Sequence, residues 1–500
     1  MRDANLYRLM RSRFPEDLDE TCLVLPDGDA ISYRTLDARS AKIAHALSSA
    51  GCRVGDRVAA QVEKSVTAVC VYLACLRAGF VYLPLNTGYQ QRELTFFLGD
   101  AKPKVVVCPS DSITTMTAIA GAGTRVFTLD EHDEGSLINE YRNCFEQFDP
   151  VPMKDTDLAA ILYTSGTTGR SKGAMLSHAN LTSNALTLVD AWGFTAADVL
   201  YHALPIYHVH GLFVALHCVL LSGAKAWFCA KFDAAQALEL LPRSTVMMGV
   251  PTFYTRLLAS KDFDRAHCAA IRLFVSGSAP LLAETFAAFE QRTGQRILER
   301  YGMTETGMIT SNPLHGDRIG GTVGPSLADV TVRVCDDHGK VLPASEIGGI
   351  QVKGPNVFSG YWQMPDKTKE EFTDDGFFKT GDLGRLLPNR YLEIVGREKD
   401  LIISGGLNVY PKEIEELIDA LPGVAESAVI GVPHQDFGEA VTAVVVLKKG
   451  AKVTGNAILN ELKGQLAKFK VPKYVYVVPE LPRNSMGKVQ KNVLRQKYEK

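Results

Sequence analysis

Between residues 20 and 320, short apolar runs alternate with longer runs of helical periodicity, and this rhythm leaves few folds open. Val58-Ala-Ala-Gln-Val, Val105-Val-Val-Cys, Val246-Met-Met-Gly-Val and Leu273-Phe-Val-Ser are short and almost wholly apolar. Such runs suit strands covered on both faces, so α/β layers around largely buried sheets are expected. From residue 330 to 398 the character changes. Val330-Thr-Val-Arg-Val, Gly349-Ile-Gln-Val-Lys and Tyr391-Leu-Glu-Ile-Val are divided by Gly, Pro and Asp, which predicts a small β-barrel or distorted sheet. Beyond Asp400 the order becomes strand, helix, strand, strand, helix, with Ile414-Glu-Glu-Leu-Ile at helical spacing. A compact α+β unit follows from that order. The 500 residues exceed one ordinary domain. The short charged link at Lys399 divides them into residues 1–398 and 399–500.

Composition narrows the function. A formal charge of −2 argues against a nucleic-acid partner held by bulk charge. The ten cysteines are scattered, with no Cys-x-x-Cys and no zinc spacing. Cys70 and Cys75, the closest pair, sit in an apolar run and read as core thiols. A reducing cytoplasm is the expected setting. The start Met1-Arg-Asp-Ala-Asn-Leu lacks the apolar core of a signal peptide. The longest apolar run, Gly211 to Ala224, ends at Lys225 before it could span a bilayer, which takes about 20 residues. It reads as a buried helix, and no membrane partner is expected.

The most informative stretch is Tyr163-Thr-Ser-Gly-Thr-Thr-Gly-Arg-Ser-Lys-Gly173, with three glycines, six hydroxyl side chains and two cations. It follows the apolar run Leu158 to Leu162. A strand opening into such a loop suits a polyphosphate: glycines let N–H groups approach, hydroxyls donate and cations neutralise. The loop lacks Gly-Lys-Ser/Thr, so it is not the common P-loop. It resembles the phosphate loop of the adenylate-forming enzymes, the superfamily of acyl-CoA synthetases, luciferases and peptide-synthetase adenylation domains. Further motifs of that superfamily stand in the same order: Ala203-Leu-Pro-Ile-Tyr-His208, Tyr301-Gly-Met-Thr-Glu-Thr306, Thr380-Gly-Asp-Leu383, Gly396-Arg-Glu-Lys-Asp400 and Asn484-Ser-Met-Gly-Lys488. The resemblance covers essentially the whole chain.

It implies a large multi-layer N-terminal domain and a small mobile C-terminal lid, acting on ATP, Mg²⁺ and CoA. Thr164, Ser165, Gly166, Thr167, Thr168, Gly169 and Lys172 would hold the β- and γ-phosphates. Glu305, with Thr164, would hold Mg²⁺, which takes few protein ligands. Thr304 would meet the α-phosphate. Tyr301 would pack on adenine beside the turn Ser276-Gly-Ser278-Ala279. Asp382 and Arg397 would take the ribose. Lys488 would bridge carboxylate and α-phosphate, as a compact charge on a long stem can. Its acetylation by a lysine acetyltransferase, reversed by a deacetylase, would silence it. Lys399 would be the hinge on which the lid turns. Ser404, Gly405 and Gly406 would then border the tunnel for the pantetheine arm of CoA.

For the acid, the run Thr245 to Pro251 reads as a strand feeding a helix whose buried face carries Phe253, Tyr254, Leu257 and Leu258. Arg256 falls at the edge of that face, where the resemblance puts the acyl pocket. A guanidinium there would suit a second, unreacted carboxylate. His208 and Ser276 would lie beside the reacting one. The branch most similar is that of the malonyl-CoA synthetases, which implies ligation of malonate, and of methylmalonate, to CoA. The competing readings are a CoA ligase for a short monocarboxylic or aryl acid and an adenylation domain that loads a carrier protein in trans.

Overall fold

Helix Val66–Ala78 is buried at all thirteen positions, which its almost wholly apolar sequence allows, with its one charge, Arg77, paired to Asp37. Ser65 starts it by accepting from the Ala68 N–H, and Gly79 ends it in the left-handed conformation at φ 71°. The helix lies in one continuous core that also holds Val58 and Val105 of one sheet and Leu200, Val246 and Leu273 of another. The computed structural model describes residues 3–164, 171–404, 407–434, 437–484 and 487–499.

The larger sheet has eight strands in the order Gly307–Ser311, Leu298–Met303, Leu273–Ser276, Val246–Gly249, Val199–His202, Lys225–Phe228, Thr21–Val24, Ala30–Ser32. Its six central strands are parallel, and an antiparallel strand closes each edge. The second sheet, of seven strands, runs Gly360–Tyr361, Lys172–Ser177, Leu158–Thr164, Val81–Pro84, Arg57–Ala60, Val105–Cys108, Arg125–Thr128. The apolar runs read from sequence are therefore strands of these two sheets. The run from Gly211 is helical as expected, starting with a π-helical turn, His210–Leu216, that continues into Leu221 as an α-helix.

Residues 331–397 form four antiparallel strands, Thr331–Cys335, Gly348–Lys353, Phe378–Leu386 and Leu392–Arg397, in that order. Of the two expected forms, small β-barrel or distorted sheet, this is the second: the four strands form an open sheet whose outer strand Leu392–Arg397 exchanges backbone hydrogen bonds with Val323 and Gly324 at Leu392. Four short strands interrupted by register shifts are too few to close. The last unit is a five-stranded sheet with its own cores, one around Ile414, Ile418, Val441 and Ile458 and one around Ile430, Val444 and Leu494. The molecule is thus a large α/β N-terminal domain with a small α+β C-terminal one. The small domain touches the large one where Lys448 Nζ meets Glu284 Oε1 at 2.7 Å and Lys412 Nζ donates to Ile394 O at 2.5 Å.

Candidate active site

Parallel strands deliver their C-terminal ends to one place, and ligands of open α/β sheets sit there. In the larger sheet Gly249 pairs with Ser276, and Ser276 with Glu299, so Ser276, Gly277 and Arg300 are neighbours by register. Gly277 has no room for a side chain, since a Cβ would lie 2.4 Å from Arg300 Cζ. The guanidinium therefore lies flat against that turn. Ser278, next in the turn, takes the left-handed conformation at φ 72°, and its Oγ stands 3.2 Å from His210 Nδ1. Ala279 follows, half-buried.

Arg300 is 4% exposed, His210 1% and Ser276 1%. Arg300 Nε and Nη2, His210 Nε2 and Ser276 Oγ are buried with no hydrogen-bond partner among the described residues. Burial, with only Tyr254 pulling the other way, brings the Arg300 pKa down to about 9. A buried guanidinium without a counter-charge is costly. Three orphaned polar groups on neighbouring elements make a buried polar cluster that an anion would complete.

His208 borders the same space. Its Nδ1 accepts the His210 N–H at 3.2 Å, which leaves the ring proton on Nε2 as a donor. Burial, then Arg300 and Lys488, lower its pKa to about 4, so the imidazole is neutral at pH 7.

A second corner lies at the end of strand Leu158–Thr164. Glu305, 5% exposed, accepts from Thr164 Oγ1 at 3.3 Å and from Tyr361 OH at 3.1 Å, both at Oε1. Burial raises its pKa against the opposing pull of a backbone hydrogen bond, Lys172, Tyr361 and Arg397. Thr304 precedes it, half-buried. Lys172 is brought to this corner, with Nζ 4.2 Å from the centre of the Tyr361 ring and 3.2 Å from Glu371 Oε1. Its charge is thus already paired within the protein. Ser165, Gly166, Thr167, Thr168, Gly169 and Arg170 lie outside the described residues, as do Gly405 and Gly406.

The third corner comes from the four-stranded sheet. Asp382, 3% exposed, follows Gly381 at φ 68°. Its Oδ1 takes Arg397 Nε at 2.6 Å and its Oδ2 takes Tyr301 OH at 2.5 Å. Tyr301 thus ties this corner to Arg300. Burial works against the Arg397 cation, but Asp382, Tyr301, Glu305 and Asp400 together keep its pKa raised.

The small domain supplies Lys488 from a tight hairpin. Asn484 Oδ1 accepts the Lys488 N–H at 2.9 Å, and Arg483 Nη1 donates to Gly487 O at 2.5 Å. Gly487, at φ 73°, packs on Thr252 of the large domain, where a Cβ would stand 3.3 Å from Cγ2. Lys488 is exposed to solvent as a residue, while atoms of both domains crowd around its amine. Burial there, with Arg397 and Lys399 nearby, lowers its pKa to about 8 against Asp382 and Asp400. Lys399 itself lies in the turn Glu398–Asp400, beside the Asp400–Arg495 ion pair of 2.6 Å. Ser404 is buried in strand Ile402–Ser404, paired with Leu407 and Gly438.

One expected site residue is not brought to these corners. Arg256 is exposed on helix Pro251–Ala259. That helix buries Tyr254 and Leu257, with Phe253 and Leu258 half-buried. Two residues beyond Tyr254 is about 200° around a helix, which points Arg256 away from the packed side. Arg300, which sequence reasoning missed, is the cation buried without a partner beside Ser276 and His210. Its signal was a charged pair, Glu299-Arg300, set directly after the apolar Ile297-Leu298, where a strand interior should carry no charge without a use.

Comparison with known proteins fits this geometry. Residues 12–362 match the AMP-binding enzyme family and residues 413–488 the AMP-binding enzyme C-terminal domain. The mitochondrial malonate–CoA ligase ACSF3 of Mus musculus is 36% identical, over 93% of this chain and 87% of its own length. ATP-bound MatB of Rhodopseudomonas palustris is 57% identical and superposes with a TM-score of 0.98, covering 100% of this chain and 99% of its own. Apo MatB of the same organism, at the same identity and coverage, gives 0.86. Identity being equal, the gap lies in arrangement, and this chain shares the arrangement of the ATP-bound form.

Proposed function

The chain belongs to the AMP-binding enzyme family, and from that premise we propose that it is an AMP-forming acid–CoA ligase that converts malonate to malonyl-CoA. The observation that carries the choice of acid is the buried, unpartnered Arg300 guanidinium, with Ser276 Oγ and His210 Nε2 beside it. A fatty or aryl acid offers nothing to pair with that charge. The second carboxylate of a short dicarboxylate does, through charge-assisted hydrogen bonds. The malonate–CoA ligase among its relatives supports the same reading.

In the first half-reaction a carboxylate oxygen of malonate attacks the α-phosphorus of ATP, and the bond to pyrophosphate breaks. Catalysis of phosphoryl chemistry is positioning plus charge stabilisation. Arg300 would fix the distal carboxylate, so the near one is delivered in one orientation. His208 would donate its Nε2–H to that near carboxylate. Lys488 would lie between it and the α-phosphate. Asp382 and Arg397 would take the ribose hydroxyls. The Glu305 and Thr164 oxygens, adjacent at 3.3 Å, are hard donors that suit Mg²⁺, which when bound neutralises phosphate charge. In the second half-reaction the CoA thiolate attacks the acyl carbonyl and AMP leaves. Rotation of residues 399–500 about Lys399 would withdraw Lys488 between the two steps.

AMP release by the purified protein, with ATP, Mg²⁺ and CoA, tests the substrate. Turnover is expected with malonate and methylmalonate and not with acetate, octanoate or benzoate. Strong turnover of a monocarboxylate alone would overturn the assignment of the acid and leave the two-step chemistry standing. Asp382→Asn is expected to weaken AMP binding by about tenfold, since it strips Arg397 of its counter-charge and Tyr301 of a strong acceptor. Titration calorimetry with AMP checks it, and unchanged affinity would remove Asp382 from the nucleotide site.

A further inference from the structure

Lys64 is used by none of this chemistry, yet its surroundings are highly organised. It follows strand Arg57–Ala60 of the seven-stranded sheet and reaches the ends of two strands of the other sheet. Its ammonium donates to His202 O at 2.9 Å, to Cys229 O at 2.7 Å and to His202 Nδ1 at 2.8 Å. Nζ also stands 4.3 Å from the centre of the Phe228 ring. Three acceptors match the three protons of the ammonium form, which burial makes easier to deprotonate by lowering the Lys64 pKa to about 7.

The consequence falls on His202, which is fully buried. With Nδ1 an acceptor, the ring proton sits on Nε2, and Nε2 donates to Gly211 O at 2.9 Å. Gly211 is the second residue of the π-helical turn His210–Leu216. π-Helical turns are rare, are frequent at functional sites and disturb the ordinary ladder of carbonyl partners. The turn is also tightly seated, since a Cβ on Gly211 would lie 2.1 Å from Pro205 O. Its first residue is His210, whose N–H binds His208 Nδ1. The contacts thus run from Lys64 through His202 and Gly211 to both histidines of the acid pocket.

We infer that Lys64 and His202 are positioning residues for that pocket: Lys64 fixes the tautomer of His202, and His202 holds the turn that aims His208 and His210. The inference rests on reading the Arg300 pocket as the acid site.

Two substitutions at His202 separate this role from simple packing. In His202→Gln the amide nitrogen can occupy the Nε2 position and still donate to Gly211 O. In His202→Asn the shorter side chain keeps only the Nδ1 side. His202→Asn is expected to raise KM for the acid by about tenfold, with KM for ATP changed by less than about twofold, as befits one lost buried hydrogen bond. His202→Gln is expected to stay within about threefold of wild type for both substrates. Equal effects of Asn and Gln, or parallel shifts in the two KM values, would overturn the inference. If His202→Asn does not fold, Lys64→Met and Lys64→Arg carry the test. Met must raise the acid KM selectively and Arg must restore it, and any other pattern overturns the inference. The acid is whichever one the wild type turns over, and Arg300→Met is measured alongside. If Arg300→Met leaves the acid KM unchanged, the pocket reading fails and takes the inference with it. If Arg300→Met raises it and the His202 variants do not, the relay alone fails.

Discussion

Lys488→Ala is expected to lower ATP–pyrophosphate exchange by about 10²- to 10³-fold, the usual consequence of losing one preorganised charge at a transition state. Transfer of a preformed malonyl-adenylate to CoA should fall far less. The geometry supports the split. Lys488 rides on the small domain in a hairpin pinned by Asn484 and Arg483. In this arrangement it influences His208 on one side and Arg397 and Asp382 on the other. pH gives a second test. The ammonium is the working form, so the activity it supports is present below its pKa and lost as pH rises through it. With a ligand-free pKa of about 8, kcat/KM for ATP should decline above that pH. The limb in kcat should lie higher, because bound phosphates raise the amine pKa. Equal loss of both half-reactions in Lys488→Ala, or coincident limbs, would sink this assignment.

Arg300→Met should lower kcat/KM for malonate by about 10²- to 10³-fold, in the range for removing one member of a buried charge pair formed with a ligand. The thermal midpoint should hold or rise, because the side chain removed is a buried cation with two orphaned donors and its replacement is apolar and fills the space as far as the Nε position. Activity and stability would move in opposite directions, which a damaged fold would not produce. A short monocarboxylate should lose much less, because it never used the guanidinium. Arg256→Ala, on the exposed side of its helix, should change kcat/KM for malonate by less than about twofold. A large effect of Arg256→Ala with none from Arg300→Met would return the pocket to the helix.

The contrast between those two arginines shows how far the chain could be read unaided. Both stand near features that the sequence identified: the helix after Val250-Pro251, and the motif that begins at Tyr301. Helical spacing gave Arg256 a place near an apolar face but not the direction from which the substrate comes. Arg300 sits in a strand, where a charge reads as an exposed edge. Its burial follows from the parallel register with Ser276 and from the close approach of Gly277. Lys172 is a similar case. Its partner Glu371 is 199 residues away along the chain, and no local pattern announces it. Lys64 and His202 lie 138 residues apart and belong to different sheets.

What the sequence determined by itself was everything local. The apolar runs became strands, the buried helices formed where periodicity and caps required, and Thr164, Glu305, Asp382, Arg397 and Lys488 were marked by their motifs. Local patterns suffice there because backbone propensity, caps and turns act over a few residues. The tertiary structure alone decided which cation is buried without a partner beside Ser276 and His210, which carboxylate pairs with Lys172, and that the small domain is turned to bring Lys488 to the cleft. Those outcomes depend on strand register and domain packing, where groups far apart in the chain share the same low-dielectric space and each sets what the others can pair with.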